Sequence, residues 1–175
     1  MPLHLVNLDA RTRAYMLDEF ERDRRAGTLY LSPRLSAQGR AAYTGLLHAA
    51  LASGDDASLA QSLHPRMKPM EIRQKRNGEA VVVKVPARAP ETLAAGEFNR
   101  YYMRGLCCRA IEDGIAELIV YRARTVRAPR PGSEAAVGVR VDPTSLLDDL
   151  RTSPGSVPAF GLPGGSNSGI SVRLP

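Results

Sequence analysis

Between Glu71 and Arg122 the spacing of apolar residues changes from strand-like to helical and back, and this alternation constrains the fold more than any other feature of the 175-residue chain. The stretch Glu71-Ile72-Arg73-Gln74-Lys75 leads through Asn77-Gly78 into Ala80-Val81-Val82-Val83-Lys84-Val85. Asn-Gly accepts the positive φ angles of a type I′ turn, whose twist matches that of two antiparallel strands. A hairpin over 71–85 is therefore predicted, with Val81 and Val83 on one face and Val82 and Lys84 on the other. Pro86 and Pro90 end the second strand and open a helix over 91–113. Gly114 stops that helix, and Ala116 to Arg122 reads as a strand. A crossover of this length suits two parallel strands joined right-handedly in one sheet.

A helical wheel of 91–113 places Ala95, Phe98, Tyr102, Met103, Leu106, Cys107 and Ala110 on one apolar face. Glu97, Arg100, Tyr101, Arg104, Cys108 and Glu112 fall on the opposite face, which the wheel predicts to be exposed. Asn99 interrupts the apolar face. A buried amide needs hydrogen-bond partners, so Asn99 either pins the helix to a strand backbone or lines a site together with Glu97.

The flanking segments are simpler. Asn7, with Asp9 close behind, is expected to cap a helix over 8–25 that ends at Gly27. A second helix starts after Ser36, with Tyr43, Leu46, Leu47, Ala50 and Leu51 on its buried side. Asp55 or Asp56 caps a short helix through Leu63. Asp142-Pro143 opens a late helix carrying Leu146, Leu147 and Leu150. Residues 152–169 are rich in Ser, Pro and Gly. In the terminal strand, 170–174, Ile170, Val172 and Leu174 alternate with polar residues. That strand either folds back onto its own sheet or is exchanged with a neighbouring copy. The expected class is α/β or α+β in a single domain, 1–175. It has a helical part (1–64), a basic strand–helix–strand core (65–150) packed by the central helix, and an arm (151–175). Hairpin, strand 116–122 and terminal strand would form one small mixed sheet.

Charge is unevenly distributed. Residues 66–130 hold 14 Lys and Arg against 7 Asp and Glu, a balance of +7, whereas residues 1–65 balance to zero. Arg73, Lys75 and Arg76 lie on the hairpin, Arg100 and Arg104 on the helix, and Arg122, Arg124 and Arg127 on or after the later strand. If they converge, they form a surface for DNA or RNA phosphates, with Tyr101 stacking on an unpaired base. Of the 24 basic residues 21 are Arg, so mutational bias contributes to the basicity, although bias does not explain the clustering.

Other chemistries are disfavoured. The adjacent Cys107 and Cys108 do not make a disulfide framework, and three scattered His residues do not suggest a zinc site. Cys108 beside Arg104 and Arg109 is the one candidate thiolate. The link Pro86-Ala87-Arg88-Ala89-Pro90 has no phosphate-cradling glycine. The acid-x-Lys pattern of a metal-dependent nuclease fails because Val82 precedes Lys84 by two. No G-x-S-x-G elbow is present. No cofactor or metal is expected. No apolar run approaches the ~20 residues of a membrane span, and the N-terminus lacks signal-peptide character, so a cytoplasmic protein is expected. The leading expectation is a non-enzymatic binding or assembly protein that self-associates and holds an anionic partner, a component of a bacterial or phage-like particle. Nucleic-acid binding without a base-reading motif is the alternative. An enzyme with a site near Glu97, Asn99 and Arg100 ranks last.

Overall fold

The computed structural model describes residues 2–125, 131–152 and 169–175. Its helices are α1 (Ala10–Ala26), α2 (Ala37–Ser53), α3 (Asp56–Leu63), α4 (Ala89–Glu112), α5 (Pro131–Ala135) and α6 (Pro143–Thr152). Its strands are β1 (Met70–Gln74), β2 (Ala80–Lys84), β3 (Leu118–Arg122), β4 (Arg140–Val141) and β5 (Ile170–Arg173). The fold is α+β, with N-terminal helices and a long central helix.

The strands divide between two antiparallel sheets rather than forming one mixed sheet. β1 pairs only with β2, and the second sheet has the order β4-β3-β5. The predicted parallel crossover from β2 to β3 is therefore absent. Both edges of β3 are taken by antiparallel neighbours, Ile119 opposite Arg140 on one side and Arg173 on the other. No edge is left for β2. The terminal strand lies on β3 of its own chain, in the fold-back arrangement.

Local signals explain most element boundaries. Ser36 accepts a hydrogen bond from Gly39 N at 3.0 Å, and Asp55 forms a reciprocal capping box with Ser58. Gly27 closes α1 at φ 68°, as its position predicts. The cap of α1 is Asp9, however, which accepts from Thr12 N at 2.8 Å. Asn7 instead joins the two ends of the chain: its Oδ1 accepts from Leu174 N at 3.0 Å, and its N–H donates to Tyr102 Oη at 3.2 Å. The hairpin turn also differs from type I′. Gly78 N donates to Lys75 O at 3.0 Å and Lys75 N to Glu79 O at 2.8 Å. The loop thus has three residues, with Gly78 at φ 83° supplying the left-handed position of a bulge.

The core surrounds α4. Phe98, Tyr102, Leu106, Cys107 and Ala110 are fully buried among Met16 and Phe20 of α1, Leu59 and Leu63 of α3, and Leu146 and Leu150 of α6. Each large side chain contributes about 1.5–3 kcal/mol through burial. α1 crosses α4 closely at Gly105, where an added Cβ would lie 2.8 Å from Met16 Cγ and 2.9 Å from Met16 N. Asn99 joins α4 to the second sheet. Its Nδ2 donates to Ile170 O at 2.8 Å, and its Oδ1 accepts from Ser171 Oγ at 2.7 Å. Of the two readings of Asn99, the structure shows the helix pinned to a strand backbone.

Candidate functional site

The helix residues expected on an exposed basic face are buried. Arg104 is 1% exposed, Tyr101 0%, Glu97 4% and Arg100 6%. α4 is packed on several sides, so its polar face meets α1 rather than solvent. α1 carries Glu19 and Asp23 one turn apart, matching the one-turn spacing of Arg100 and Arg104. Arg104 Nε donates to Glu19 Oε2 at 2.8 Å, and its Nη1 and Nη2 donate to Asp23 at 2.6 and 2.9 Å. Tyr101 Oη donates to Asp23 Oδ2 at 2.9 Å. Both guanidinium groups lie 5.1 Å from the centre of its ring. Arg151 of α6 reaches Glu19 Oε2 at 3.0 Å. Tyr101 cannot stack on a base, and neither Arg100 nor Arg104 is placed to meet a phosphate. These residues form an internal ionic joint between α1, α4 and α6.

The electrostatics of the joint follow from its geometry. Burial alone would raise the carboxyl groups of Glu19 and Asp23. Arg151 and Arg104 at Glu19, and Arg104 with Tyr101 and Arg100 at Asp23, outweigh it and hold both below their ordinary values. Glu97 behaves oppositely. Burial raises it, the charge of Asp23 adds to the rise, and Arg100 only partly offsets it from 3.4 Å. Glu97 Oε2, Arg100 Nε and Tyr43 Oη make no hydrogen bond among the described residues. The expected thiolate is also corrected. Burial, with Glu19 nearby, pushes the Cys108 thiol up to about 11, and its Sγ lies 3.7 Å from Glu19 Oε1.

The hairpin has the exposed basic character that the helix lacks. Residues 68–88 hold six Lys and Arg and two Glu, a balance of +4 in a chain of +6. Lys68, Arg73, Lys75, Arg76, Lys84 and Arg88 are all exposed. Glu71 accepts from Arg34 Nε at 2.6 Å and from Arg73 Nε at 2.7 Å, and Glu79 accepts from Lys75 at 2.9 Å. The Lys75–Glu79 pair is solvated and weak, and with two Glu against six cations the ribbon stays net positive. One ribbon face rests toward the body, with Glu71, Val81 and Val83 half-buried. The other face carries Met70 at 41%, Ile72 at 74% and Val82 at 64% exposure, with Ile72 directly opposite Val82.

Of the remaining predicted basic residues, Arg122 lies in β3 of the β4-β3-β5 sheet and Arg124 just after it, and neither belongs to the ribbon. Arg122 closes β3 opposite Ile170, and Arg124 N donates to Gly169 O at 3.2 Å; both side chains are half-buried in the region of the second sheet. Arg127 lies outside the described residues. Sequence reasoning missed Glu19, Asp23 and Arg151 as partners of the helix arginines. The paired acids at 19 and 23 were the available signal.

Among the described residues no group of three or more His, Cys, Asp and Glu is placed to hold a metal ion. A surface depression on α1, lined by Asp18, Glu21, Arg22, Arg25 and Ala26, comes from a single helix and brings no groups together from other elements. Among the described residues no helix is long and apolar enough to cross a membrane. No protein-family model, curated protein or solved structure matches the chain significantly.

Proposed function

We propose that this chain is a non-enzymatic binding and assembly protein of the cytoplasm that presents the β1–β2 ribbon to an anionic partner, the phosphate backbone of a nucleic acid. The observation that carries this reading is the segregation of charge. Arg100 and Arg104 of α4 lie buried beside carboxylates inside the fold, whereas the exposed cations Arg73, Lys75, Arg76 and Lys84 stand on the two-stranded element. Five residues of paired strand span about 17 Å and are narrow enough to lie along a groove. The contacts proposed are to phosphates, which carry no sequence information, so the binding is independent of sequence. The two cysteines, both unpaired, accord with a reducing compartment.

The test is a filter-binding titration of duplex DNA and RNA over a range of salt concentrations. Retention should weaken with salt, with a slope of about −0.9 per phosphate neutralised on a duplex. Replacing Lys75 and Arg76 by Ala should reduce the magnitude of that slope by about 2. Absence of salt-sensitive retention, or a double variant that binds like the parent, refutes the reading.

A further inference from the structure

We infer that the outer edge of β2 is an interface at which two copies of this chain join into one four-stranded antiparallel sheet. The inference extends the assembly part of the proposed function and rests on it. The ladder shows which backbone groups are unused. Val85 N bonds Pro69 O and Lys75 N bonds Glu79 O, so the hydrogen-bonded pairs of the ribbon are odd-numbered. The N–H and C=O groups of Ala80, Val82 and Lys84 therefore point away from β1. Among the described residues no backbone group outside the ribbon bonds to 80–84.

The edge of β1 is obstructed at its base. Segment 34–36 pairs with 66–68 at its base, through Lys68 N to Arg34 O at 2.8 Å, Ser36 N to Arg66 O at 2.9 Å and a bridge between Leu35 and Met67. The outward groups of Met70, Ile72 and Gln74 are also unbonded among the described residues, but segment 34–36 blocks the start of that edge, whereas β2 carries three consecutive valines on an edge with no such neighbour among the described residues, the kind of template that stable proteins cover. Two strands are also fewer than an independent sheet usually needs.

A second copy fits this edge in register. A two-fold axis through Val82 overlaps all of 80–84 and places Val82 opposite the partner's Val82. Lys84 falls opposite the partner's Ala80, so no like charges face each other directly. The apolar faces join into one band through Ile72 and Val82 of both copies. The cationic tips at Lys75 and Arg76 point to opposite ends of the sheet. Each ribbon is net positive, so salt strengthens this association by screening repulsion, whereas it weakens phosphate binding.

Sedimentation velocity on the full chain at low and high salt, without nucleic acid, tests the inference. The mass should move toward two chains as protein and salt increase. Val82→Pro removes the outward N–H but no bond of the β1–β2 ladder. By symmetry it deletes both central bonds between copies, and it should raise the dissociation constant more than about tenfold. Val82→Lys should do the same by placing like charges together, and it covers the case in which proline disturbs the ribbon. Under oxidation Val82→Cys should cross-link copies, whereas Arg73→Cys should not. A parent chain that is monomeric at every salt concentration, or a dimer that survives both Val82→Pro and Val82→Lys, overturns the inference. Phosphate binding has the opposite salt dependence and uses the cations rather than Val82, so either proposal can fail while the other stands.

Discussion

Replacing Arg104 with Met should cost this protein a large part of its stability. The side chain is 1% exposed and donates three charge-assisted bonds to Glu19 and Asp23 at 2.6–2.9 Å. Met preserves much of the volume but leaves two carboxylates, each 4% exposed, without their principal cation. Removing one partner of a buried pair costs about 3–5 kcal/mol because the remaining charge stays desolvated. Glu19 keeps Arg151, so the penalty falls mainly on Asp23, which keeps Tyr101 and a 3.5 Å contact with Arg100. The lower end, about 3 kcal/mol, is expected, equivalent to about 6–12 °C in the melting midpoint of a domain this size. Urea unfolding at several pH values supplies the second readout. Asp23 is held below its ordinary value of 3.8, so its stabilisation is present above that pH and is lost as pH falls through the depressed value. The deficit of the variant should therefore be full near neutral pH and shrink in acid, where Asp23 is protonated in parent and variant alike. A loss below about 1 kcal/mol, or one independent of pH, would refute the assignment of Arg104 as the counter-charge of this joint.

Two further outcomes follow from the packing and the ionic joint. Gly105→Ala should destabilise the fold by about 1–3 kcal/mol in the same unfolding assay, because the added methyl meets the α1 backbone at Met16 and Thr12. Glu97 is raised above its ordinary value of 4.5 by burial, so the folded state takes up its proton first and its charge weakens the fold as pH rises through that window. Glu97→Gln should accordingly remove a fall in stability between pH 4.5 and the raised value, and an unchanged pH profile would count against a strained carboxylate.

The secondary structure was largely legible because its signals are local. Ser36, Asp55 and Gly27 mark helix ends through bonds made within one turn, and Asn77-Gly78 marks a reversal whichever turn type forms. Asn99 stood out because an amide on an apolar stripe needs a partner, although its partner, Ile170, lies 71 residues away. The site was less legible. A helical wheel divides a helix into one buried and one exposed face, a division that fails for α4, which is enclosed by α1, α3, α6 and β5. Guanidinium groups look like surface charges until a second helix brings carboxylates to the same height.

Sequence alone determined the order of most helices and strands, the caps at Ser36 and Asp55 and the charge excess of the middle third, since these depend on neighbours in the chain. Tertiary structure decided which cations are available to a partner and how the strands are shared between sheets. Charge burial is set by counter-charges distant in sequence, and strand pairing by which edges remain open once β3 has acquired neighbours on both sides. Arg104 and Arg76 are both arginines of the basic third; the first became a core residue and the second remained at a surface tip because only the first packs against Glu19 and Asp23.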